Sequence, residues 1–257
     1  MPKTVSLIGL EDFPLVKDGD DVASIIVDVA ERNMVSINDG DLIVVCQKIV
    51  SKAEGRVVKL DEVSPSSKAK ELADVSGKDA GFAEILLRES KVIRKVMEQI
   101  FIVETKHDVV CLNCGIDKSN VPGVNCYSIL PEDPDNSASK IRLRIHELTE
   151  RKVGVIISDT SSRPFRRGQV NFAIGLSDIN AFKDYRGKKD LFGNTLKVTM
   201  VAVADELASA AELVMGQGSE GIPVVIVRGL KDASGGRPHS AKDLVIPHDI
   251  DLFKNVL

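Results

Sequence analysis

The chain has few aromatic residues and no excess of positive charge. Aromatic side chains make up 4% of its 257 residues, and Trp is absent. Sites that stack the bases of single-stranded nucleic acids are built from such rings, so the composition disfavours this class of site. The formal net charge of −4 leaves no basic excess to neutralise the phosphates of a duplex. We therefore expect no nucleic-acid partner.

Long apolar runs are missing as well. No stretch approaches the roughly 20 apolar residues that span a bilayer, and the first residues lack the apolar region and cleavage site of a signal peptide. The four cysteines are scattered, which fits a reducing compartment. Cys111 and Cys114 have the spacing of a metal or redox pair, but no second pair accompanies them, so we interpret them as structural. The sequence predicts a cytoplasmic protein without a membrane partner.

The remaining sequence has the apolar content and periodicity of a globular protein. Hydrophobic residues make up 43% and charged residues 28%, and the length allows one large domain or two small ones. Apolar, β-branched runs predict strands over 5–10, 42–46, 101–104, 153–157, 172–176, 198–203 and 222–227. Helical spacing of apolar residues predicts helices over 21–31, 66–75, 79–98, 135–150 and 204–215, with Asp135 or Ser137 as the cap of the fourth.

The stretch 153–175 is the most informative part of the sequence. Its apolar strand is predicted to stop at Ser158, where small oxygen-bearing residues follow, among them Asp159 and Thr160. Hard oxygen ligands of this kind bind Mg²⁺ or Mn²⁺. Three arginines come next: Arg163, Arg166 and Arg167. A guanidinium group can bind two oxygens of one phosphate or carboxylate at the same time. The alternative is a polar turn followed by a solvated basic surface.

A second apolar run, at 109–112, also leads into polar residues. Asp117, Ser119 and Asn120 follow it closely. Two carboxylates that come from separate strand ends, Asp117 and Asp159, can share one divalent ion or a pair of ions, as in many phosphoryl-transfer sites. The sequence thus predicts a metal site that joins these two segments.

Two further segments are candidates for phosphate binding. Lys48 and Lys52 follow the strand 42–46 and could lie near a phosphate; the alternative is a pair of solvated charges on a hairpin. The segment 216–221 contains three glycines, which let the backbone present N–H groups to an anion. It follows a helix, so it is neither a Walker loop nor a dinucleotide fingerprint, and a flexible linker is its alternative.

The tail 232–257 is interpreted as a lid, a wrap or a dimer arm.

Six motifs occur in a fixed order: GDLIVVCQKIVSKAEGRVV, CLNCGIDKSNV, LPEDPDNSASKIR, VGVIISDTSSRPFRRGQVNFAIG, VADELASAAELVMGQGSEGIPVVIVRG and SAKDL. Together they resemble the coenzyme F420 gamma-glutamyl ligases, also called F420-0:L-glutamate ligases, over nearly the whole chain. The resemblance implies an α+β fold of mixed sheets with flanking helices and an intertwined homodimer. It also implies a single unit over 1–257, with room for two subdomains and without the flavin-binding domain fused to some bacterial relatives.

The activity that the resemblance implies is a GTP-dependent amide ligation. The terminal carboxylate of F420-0 would be activated, as an acyl phosphate, and the amine of L-glutamate would attack it; a second, γ-linked glutamate can follow. The implied cofactors are two Mg²⁺ or Mn²⁺ ions and K⁺. A non-catalytic GTP- and metal-binding protein on the same scaffold is one alternative. A glutamyl ligase for another phosphate-bearing acid is a second.

The resemblance also implies roles for individual residues. Asp117 and Asp159 would bind one metal ion, and Thr160 and Gln217 a second. The GTP site would comprise Phe13, Pro14, Leu15, Val16, Gln47, Lys48, Lys52, Asn120, Met215, Gly216, Gln217, Gly218, Ser219, Glu220, Gly221 and Ile222. The sequence departs from the family at Ser162, where Gly is expected.

The candidates for catalytic residues are Asp117, Asp159, Arg163 and Arg166. The two arginines are included because of their charge alone. We expect them to bind the substrate phosphodiester or the glutamate carboxylates. No residue stands out as the base for the amine.

Overall fold

The structure is a computed structural model that describes residues 3–230, 239–247 and 249–251. The segment 232–257, predicted as a lid, a wrap or a dimer arm, lies partly outside these residues. Among the helices of the described part, none is long and apolar enough to cross a membrane.

Strands and helices follow one another without a regular repeat. The strands are β1 (Ser6–Gly9), β2 (Leu42–Cys46), β3 (Val57–Lys59), β4 (Ser90–Met97), β5 (Ile100–Thr105), β6 (Val110–Leu112), β7 (Cys126–Ser128), β8 (Gly154–Arg163), β9 (Arg166–Ser177), β10 (Lys183–Asp184), β11 (Met200–Val201) and β12 (Val224–Arg228). The α-helices are α1 (Val22–Arg32), α2 (Gln47–Ala53), α3 (Ser67–Ser76), α4 (Ala80–Glu89), α5 (Pro134–Thr149) and α6 (Val203–Met215). Short 3₁₀ turns span Leu60–Glu62, Asn113–Gly115 and Ala241–Leu244. The predicted α+β class is confirmed.

The main sheet has five strands in the order β1-β12-β2-β8-β9. β2 and β8 are parallel, and the other neighbours are antiparallel. Smaller sheets pair β4, β5 and β6, β3 with β7, and β10 with β11. The parallel pair lies inside the sheet, where it is flanked on both sides by antiparallel partners.

Both faces of the main sheet are covered, which explains the unbroken apolar runs of its central strands. In β2, Ile43 and Val45 pack with α1 and α5, whereas Leu42 and Val44 pack with α6 on the opposite face. These four side chains are at most 1% exposed. The alternation is the period of two that a strand imposes on its side chains.

A third apolar cluster lies apart from the main sheet. It joins α3 and α4 to the sheet of β4, β5 and β6, with Phe82, Leu86, Phe101 and Val103 among its buried members. Cys114 is buried in the same cluster. This third cluster supports the segment 113–120, which carries one of the predicted metal ligands, Asp117.

The predicted helix over 79–98 is wrong in its second half. α4 ends at Glu89, and residues 90–97 form β4, which pairs with β5. Ile93 lies opposite Val103, and Val96 lies opposite Phe101. No Gly or Pro occurs over 82–98, so the apolar spacing of 90–97 fits a helix as well as a strand, and pairing with β5 decides between them.

The predicted cap of α5 is also wrong. The N-cap is Asp133, two residues before Asp135 and four before Ser137, and Pro134 lies in the first turn, where a missing N–H is no disadvantage. Asp135, one of the two predicted caps together with Ser137, instead accepts a hydrogen bond from the backbone N–H of Leu176 at 2.7 Å. This contact ties the start of the helix to β9.

Candidate metal and nucleotide site

Two neighbouring strands deliver polar residues to the same edge of the main sheet. β2 and β8 are parallel, and Cys46 lies opposite Ser158. Gln47, the first residue of α2, and Asp159 of β8 therefore leave the apolar core side by side. The carboxyl ends of parallel strands are the usual place for ligands in open sheets.

The prediction that the strand stops at Ser158 is wrong. β8 continues to Arg163 and forms a hairpin with β9, in which Thr160 lies opposite Asn171. A shift of register between Ile157 and Ser158 separates its apolar half from its polar half. The polar half stays extended because β9 pairs with it as far as Arg163. The predicted metal ligands of this segment thus lie within a strand, which fixes their directions.

A cavity of about 440 Å³ opens at this edge. The four residues predicted as metal ligands all line it: Asp117, Asp159, Thr160 and Gln217. They come from three distant parts of the chain, namely the segment after the 3₁₀ turn at 113–115, strand β8, and the loop that follows α6. The fold therefore brings together the oxygen-bearing groups that the sequence singled out.

The two carboxylates of the cavity differ in their ionisation. Burial raises the pKa of Asp159 to about 7, and the nearby charge of Asp117 acts in the same direction. Burial also opposes ionisation of Asp117, but hydrogen bonds from Lys48 and Ser119 hold the pKa of that carboxyl below its usual value. Two carboxylates near one another repel, so a cation between them would favour the charged form of both.

The helix α2 positions the predicted lysine pair, so the hairpin alternative is wrong. Lys48 and Lys52 are one turn apart and share a face of the helix. The Nζ atom of Lys48 lies 2.7 Å from the Oδ2 atom of Asp117. Burial lowers the pKa of Lys52, and the charge of Lys48 acts in the same direction. Lys48 thus contacts a residue of the cavity wall, although neither lysine is itself part of that wall.

Gln47 places a buried side-chain amide beside Asp159. The residue is 1% exposed, and its Oε1 atom accepts a hydrogen bond from the Ser51 hydroxyl at 2.7 Å. The side-chain amide lies near enough to Asp159 to act on the pKa of that carboxyl as a hydrogen-bond donor, which lowers it. Its Nε2 atom meets no acceptor at full hydrogen-bond geometry within the described residues. The amide therefore already faces an anionic oxygen of the site.

Thr160 and Gln217 belong to a hydrogen-bond network that sequence reasoning missed in part. The Thr160 hydroxyl donates to Oδ1 of Asn171 at 2.7 Å, and Nε2 of Gln217 donates to the Thr160 hydroxyl at 3.0 Å. The same Nε2 donates to Oε1 of Glu212 at 2.7 Å. Glu212 lies in the last turn of α6, where the helix dipole disfavours an acid. That unfavourable position was the available signal for it.

The glycine loop adjoins the segment of Asp117. Nδ2 of Asn120 donates to the backbone oxygen of Gly218 at 3.0 Å, which joins two of the segments predicted to bind GTP. Gly216 and Gly221 have φ of 67° and 69°, a conformation that glycine adopts readily. The N–H of Gly218 donates to the Glu220 carboxylate at 2.8 Å, so the loop already holds an anionic group.

Among the residues predicted to bind GTP, only Gln217 lines this cavity in the described part of the chain. None of Phe13, Pro14, Leu15 and Val16 lines it, although their loop contacts the end of α2, where Gly19 N donates to the Ala53 oxygen at 2.9 Å. Leu15 is 87% exposed. The role of this segment in binding GTP remains a prediction.

The arginines lie at the tip of the hairpin. Arg163 and Arg166 are paired across the turn, and neither these two nor Arg167 lines the cavity, which ends at Ser162 and Gln169 on the two strands. Arg166 and Arg167 are exposed. Their contact with a substrate is therefore still a prediction, and it requires a ligand that extends beyond the cavity.

The donor set suits a metal ion that shares its ligands with phosphate. Within the described ranges, no cluster of three or more His, Cys, Asp or Glu side chains could hold a metal ion. The cavity wall instead offers two carboxylates, several hydroxyl and amide groups, and one thiol, that of Cys111. Mg²⁺ is commonly held by one or two carboxylates together with substrate phosphates and water, so these residues fit such an ion.

Cys111 of the CxxC pair also lines the cavity, but its thiol does not suit a hard metal ion. Burial raises the pKa of the Cys111 thiol, and it raises that of Cys114 to about 12. Both thiols are therefore protonated near neutral pH, and a protonated thiol is a poor metal ligand and a poor nucleophile. This agrees with their interpretation as structural.

Comparison with known proteins places the chain in a family. The model of the F420-0:gamma-glutamyl ligase family matches residues 11–229. The chain belongs to this family. It is similar to the coenzyme F420:L-glutamate ligases of Methanothermobacter thermautotrophicus (45% identity, 97% of this chain and 99% of that one) and Archaeoglobus fulgidus (48%, 98% of each). The coenzyme F420:L-glutamate ligase of Methanocaldococcus jannaschii is 47% identical over 98% of each chain.

The membership confirms two predictions made from the sequence. The resemblance to F420 gamma-glutamyl ligases is one, and the enzyme class, an amide-forming ligase, is the other. The match spans the strands and loops that build the cavity, from before β2 to the end of β12.

The contact between Asn120 and Gly218 predicts a measurable coupling of two loops. Asn120→Ala removes the hydrogen bond to Gly218, so hydrogen exchange of the amides at 216–221 should become roughly twofold to tenfold faster. Asn125→Ala is the matched control, because Asn125 has the same φ of 55° and its Nδ2 donates elsewhere, to Asp61. Equal exchange of the loop in the two variants would contradict the coupling.

Proposed function

We propose that this protein is a GTP-dependent ligase that joins the carboxylate of coenzyme F420-0 to the amine of L-glutamate. The names of the curated relatives give coenzyme F420 and L-glutamate, and the family description gives F420-0 and a γ-glutamyl product. GTP is the proposed energy source, and a second, γ-linked glutamate is the proposed further product.

The observation that carries the proposal is the arrangement of charge around one cavity. Asp117 and Asp159 face it from two segments, and Lys48 lies at its border on α2. The glycine loop adjoins it through Asn120. Acids to hold divalent ions, an ammonium and backbone N–H groups are the groups that phosphoryl transfer requires around a nucleoside triphosphate.

The proposed reaction has two chemical steps. A carboxylate oxygen of F420-0 attacks the γ-phosphorus of GTP, the bond from that phosphorus to the β–γ bridging oxygen breaks, and GDP leaves. The glutamate amine then attacks the acyl carbon, the bond from carbon to the phosphate oxygen breaks, and the amine loses a proton. The products are the amide, GDP and phosphate.

The residues of the cavity have distinct proposed roles. Lys48, Lys52 and the amide of Gln47 bind phosphate oxygens, and Asn120 holds the glycine loop against them. Asp117 and Asp159 would hold one Mg²⁺ or Mn²⁺ ion, and Thr160 and Gln217 a second. When bound, these ions neutralise phosphate charge. K⁺ is proposed as an additional activator.

The proposed function is tested by mass spectrometry of the products. The chain is incubated with GTP, Mn²⁺, F420-0 and L-glutamate, and we expect a mass increase of one or two glutamyl units with an equal amount of GDP. GTP binding without any glutamyl product would favour the non-catalytic alternative. A product formed only with a different phosphate-bearing acid would contradict the choice of F420-0.

Asp159→Asn should abolish ligation and leave the fold intact, because it removes charge from the cavity rather than volume from the core. Removing one such electrostatic group costs roughly 10²–10³ in kcat. Asp74→Asn is the control, since Asp74 is exposed on α3 and the charge change is the same. Near wild-type turnover of Asp159→Asn at saturating Mn²⁺ would contradict the role of Asp159.

Arg166→Lys should fail to restore the function that Arg166→Ala loses, if Arg166 binds a substrate phosphate or carboxylate through two hydrogen bonds. The loss should be roughly 1.5–3 kcal/mol, or about one to two decades in kcat/KM. It should appear when F420-0 or glutamate is varied and not when GTP is varied. Unchanged kinetics in Arg166→Ala would mean that the arginine is only a solvated charge.

We also propose a homodimer, in line with the family resemblance. The loop between β10 and β11 carries three large, exposed apolar side chains: Leu191 is 99%, Phe192 90% and Val198 86% exposed. Exposed apolar side chains close together on one loop are typical of an interface. Light scattering at micromolar concentration should give twice the mass of one chain, and a monomer would contradict the proposal.

A further inference from the structure

We infer that Glu212 is a positioning residue that orients the amide of Gln217 and thereby forms the second metal site. This inference rests on the proposed function, which gives Gln217 and Thr160 to the second ion. Glu212 itself lines no part of the 440 Å³ cavity wall and is not among the residues predicted from the sequence.

Glu212 uses both of its carboxylate oxygens within the described structure. Oε1 accepts from Nε2 of Gln217 at 2.7 Å, and Oε2 accepts from the backbone N–H of Asn171 at 2.8 Å. The second contact holds the carboxylate against β9, and α6 is anchored by its buried residues Ala211 and Met215. The Glu212 carboxylate is therefore held in place independently of its contact with Gln217.

An ionised carboxylate only accepts hydrogen bonds, which decides how the Gln217 amide is oriented. The NH₂ group has to face Glu212, because the reversed amide would place its oxygen against a negative oxygen. Nε2 also lies 3.0 Å from the Thr160 hydroxyl and 3.4 Å from Oδ1 of Asn171, both of which can accept from it. The carbonyl oxygen of Gln217 is left as the side-chain atom that can bind a cation.

The same network prepares Thr160. Its hydroxyl donates its proton to Oδ1 of Asn171 and accepts one hydrogen bond from Gln217. A hydroxyl has two acceptor lone pairs, so one remains for a cation. Both proposed ligands of the second ion are thus turned toward it by their contacts with Asn171 and Glu212, as outer groups commonly orient metal ligands.

A purely structural role for Glu212 makes a different prediction. If Glu212 served only to accept from the N–H of Asn171, Glu212→Gln would keep that bond through its amide oxygen. The Gln217 contact is the one that changes, because a glutamine at 212 can accept or donate and no longer dictates the amide orientation. Metal affinity therefore separates the two roles.

The test is a titration of the full chain with Mn²⁺ at saturating GTP, followed by electron paramagnetic resonance of free Mn²⁺, with GTP alone as the reference. We expect two classes of site in the wild type. Glu212→Gln should weaken one class by roughly 10- to 100-fold and leave the other unchanged. Glu206→Gln is the matched control, because it removes the same charge from the exposed face of the same helix. Wild-type affinity of both classes in Glu212→Gln would overturn the inference.

An exchange of the two residues provides a rescue test. In Glu212→Gln combined with Gln217→Glu, the amide donates from position 212 and the carboxylate at 217 keeps an oxygen for the ion, with no change in net charge. We expect this double variant to recover the class of site that Glu212→Gln weakens. Failure of both variants to fold, or failure of the double variant to recover binding, would support a structural role and overturn the inference.

The wild-type titration separates this inference from the proposed function. No Mn²⁺ bound by the wild type with GTP would refute the metal centre itself. Two classes in the wild type that both persist in Glu212→Gln would refute only the role of Glu212.

Discussion

The parallel pairing of β2 with β8 is the constraint on which the candidate site depends. It sets Cys46 opposite Ser158, so that the chain leaves both strands at the same edge of the sheet. The end of β2 leads into α2, which carries Lys48, and β8 carries Asp159 at the same edge. Because the two strands are buried on both faces, a slip of one residue would move each apolar side chain into the opposite core and disturb the packing of both. Core packing thus fixes the register of the site.

The site concentrates like charges at some cost in free energy. The raised pKa of Asp159 has burial as its main cause and the carboxylate of Asp117 as a further one. Lys48 partly offsets this through its ion pair with Asp117. The side-chain amide of Gln47 also acts to lower the pKa of Asp159. The two carboxylates still concentrate negative charge in one cavity, which makes the cavity complementary to the divalent ion of a metal–phosphate complex.

Much of the site could be predicted from the sequence, because its residues stand where apolar runs give way to polar ones. Asp117 and Asp159 were found in this way, and the lysine pair and the glycine loop by their residue types. Only the structure shows that Asp117, Asp159 and Gln217 of the glycine loop line the same cavity. What the sequence could not supply depends on contacts between distant segments. Glu212 looks like one more polar position on a surface helix until Gln217 and Asn171 are seen beside it.

The errors have the same origin. Residues 90–97 have an apolar spacing that suits a helix, and they form a strand because β5 offers a partner. The polar residues after Ser158 look like a turn, and they stay extended because β9 folds back along them. In both places tertiary pairing overrides the local pattern. The arginines are the remaining case: their charge suggests a substrate, but they lie at the hairpin tip, away from the cavity.

The most direct test of this account is anomalous scattering from crystals grown with GTP and Mn²⁺. The account predicts two Mn²⁺ peaks beside the triphosphate, one bound by Asp117 and Asp159 and the other by Thr160 and Gln217. It also predicts phosphate oxygens in contact with Lys48 and Gln47. Manganese bound elsewhere, or GTP bound away from the edge that β2 and β8 share, would contradict it.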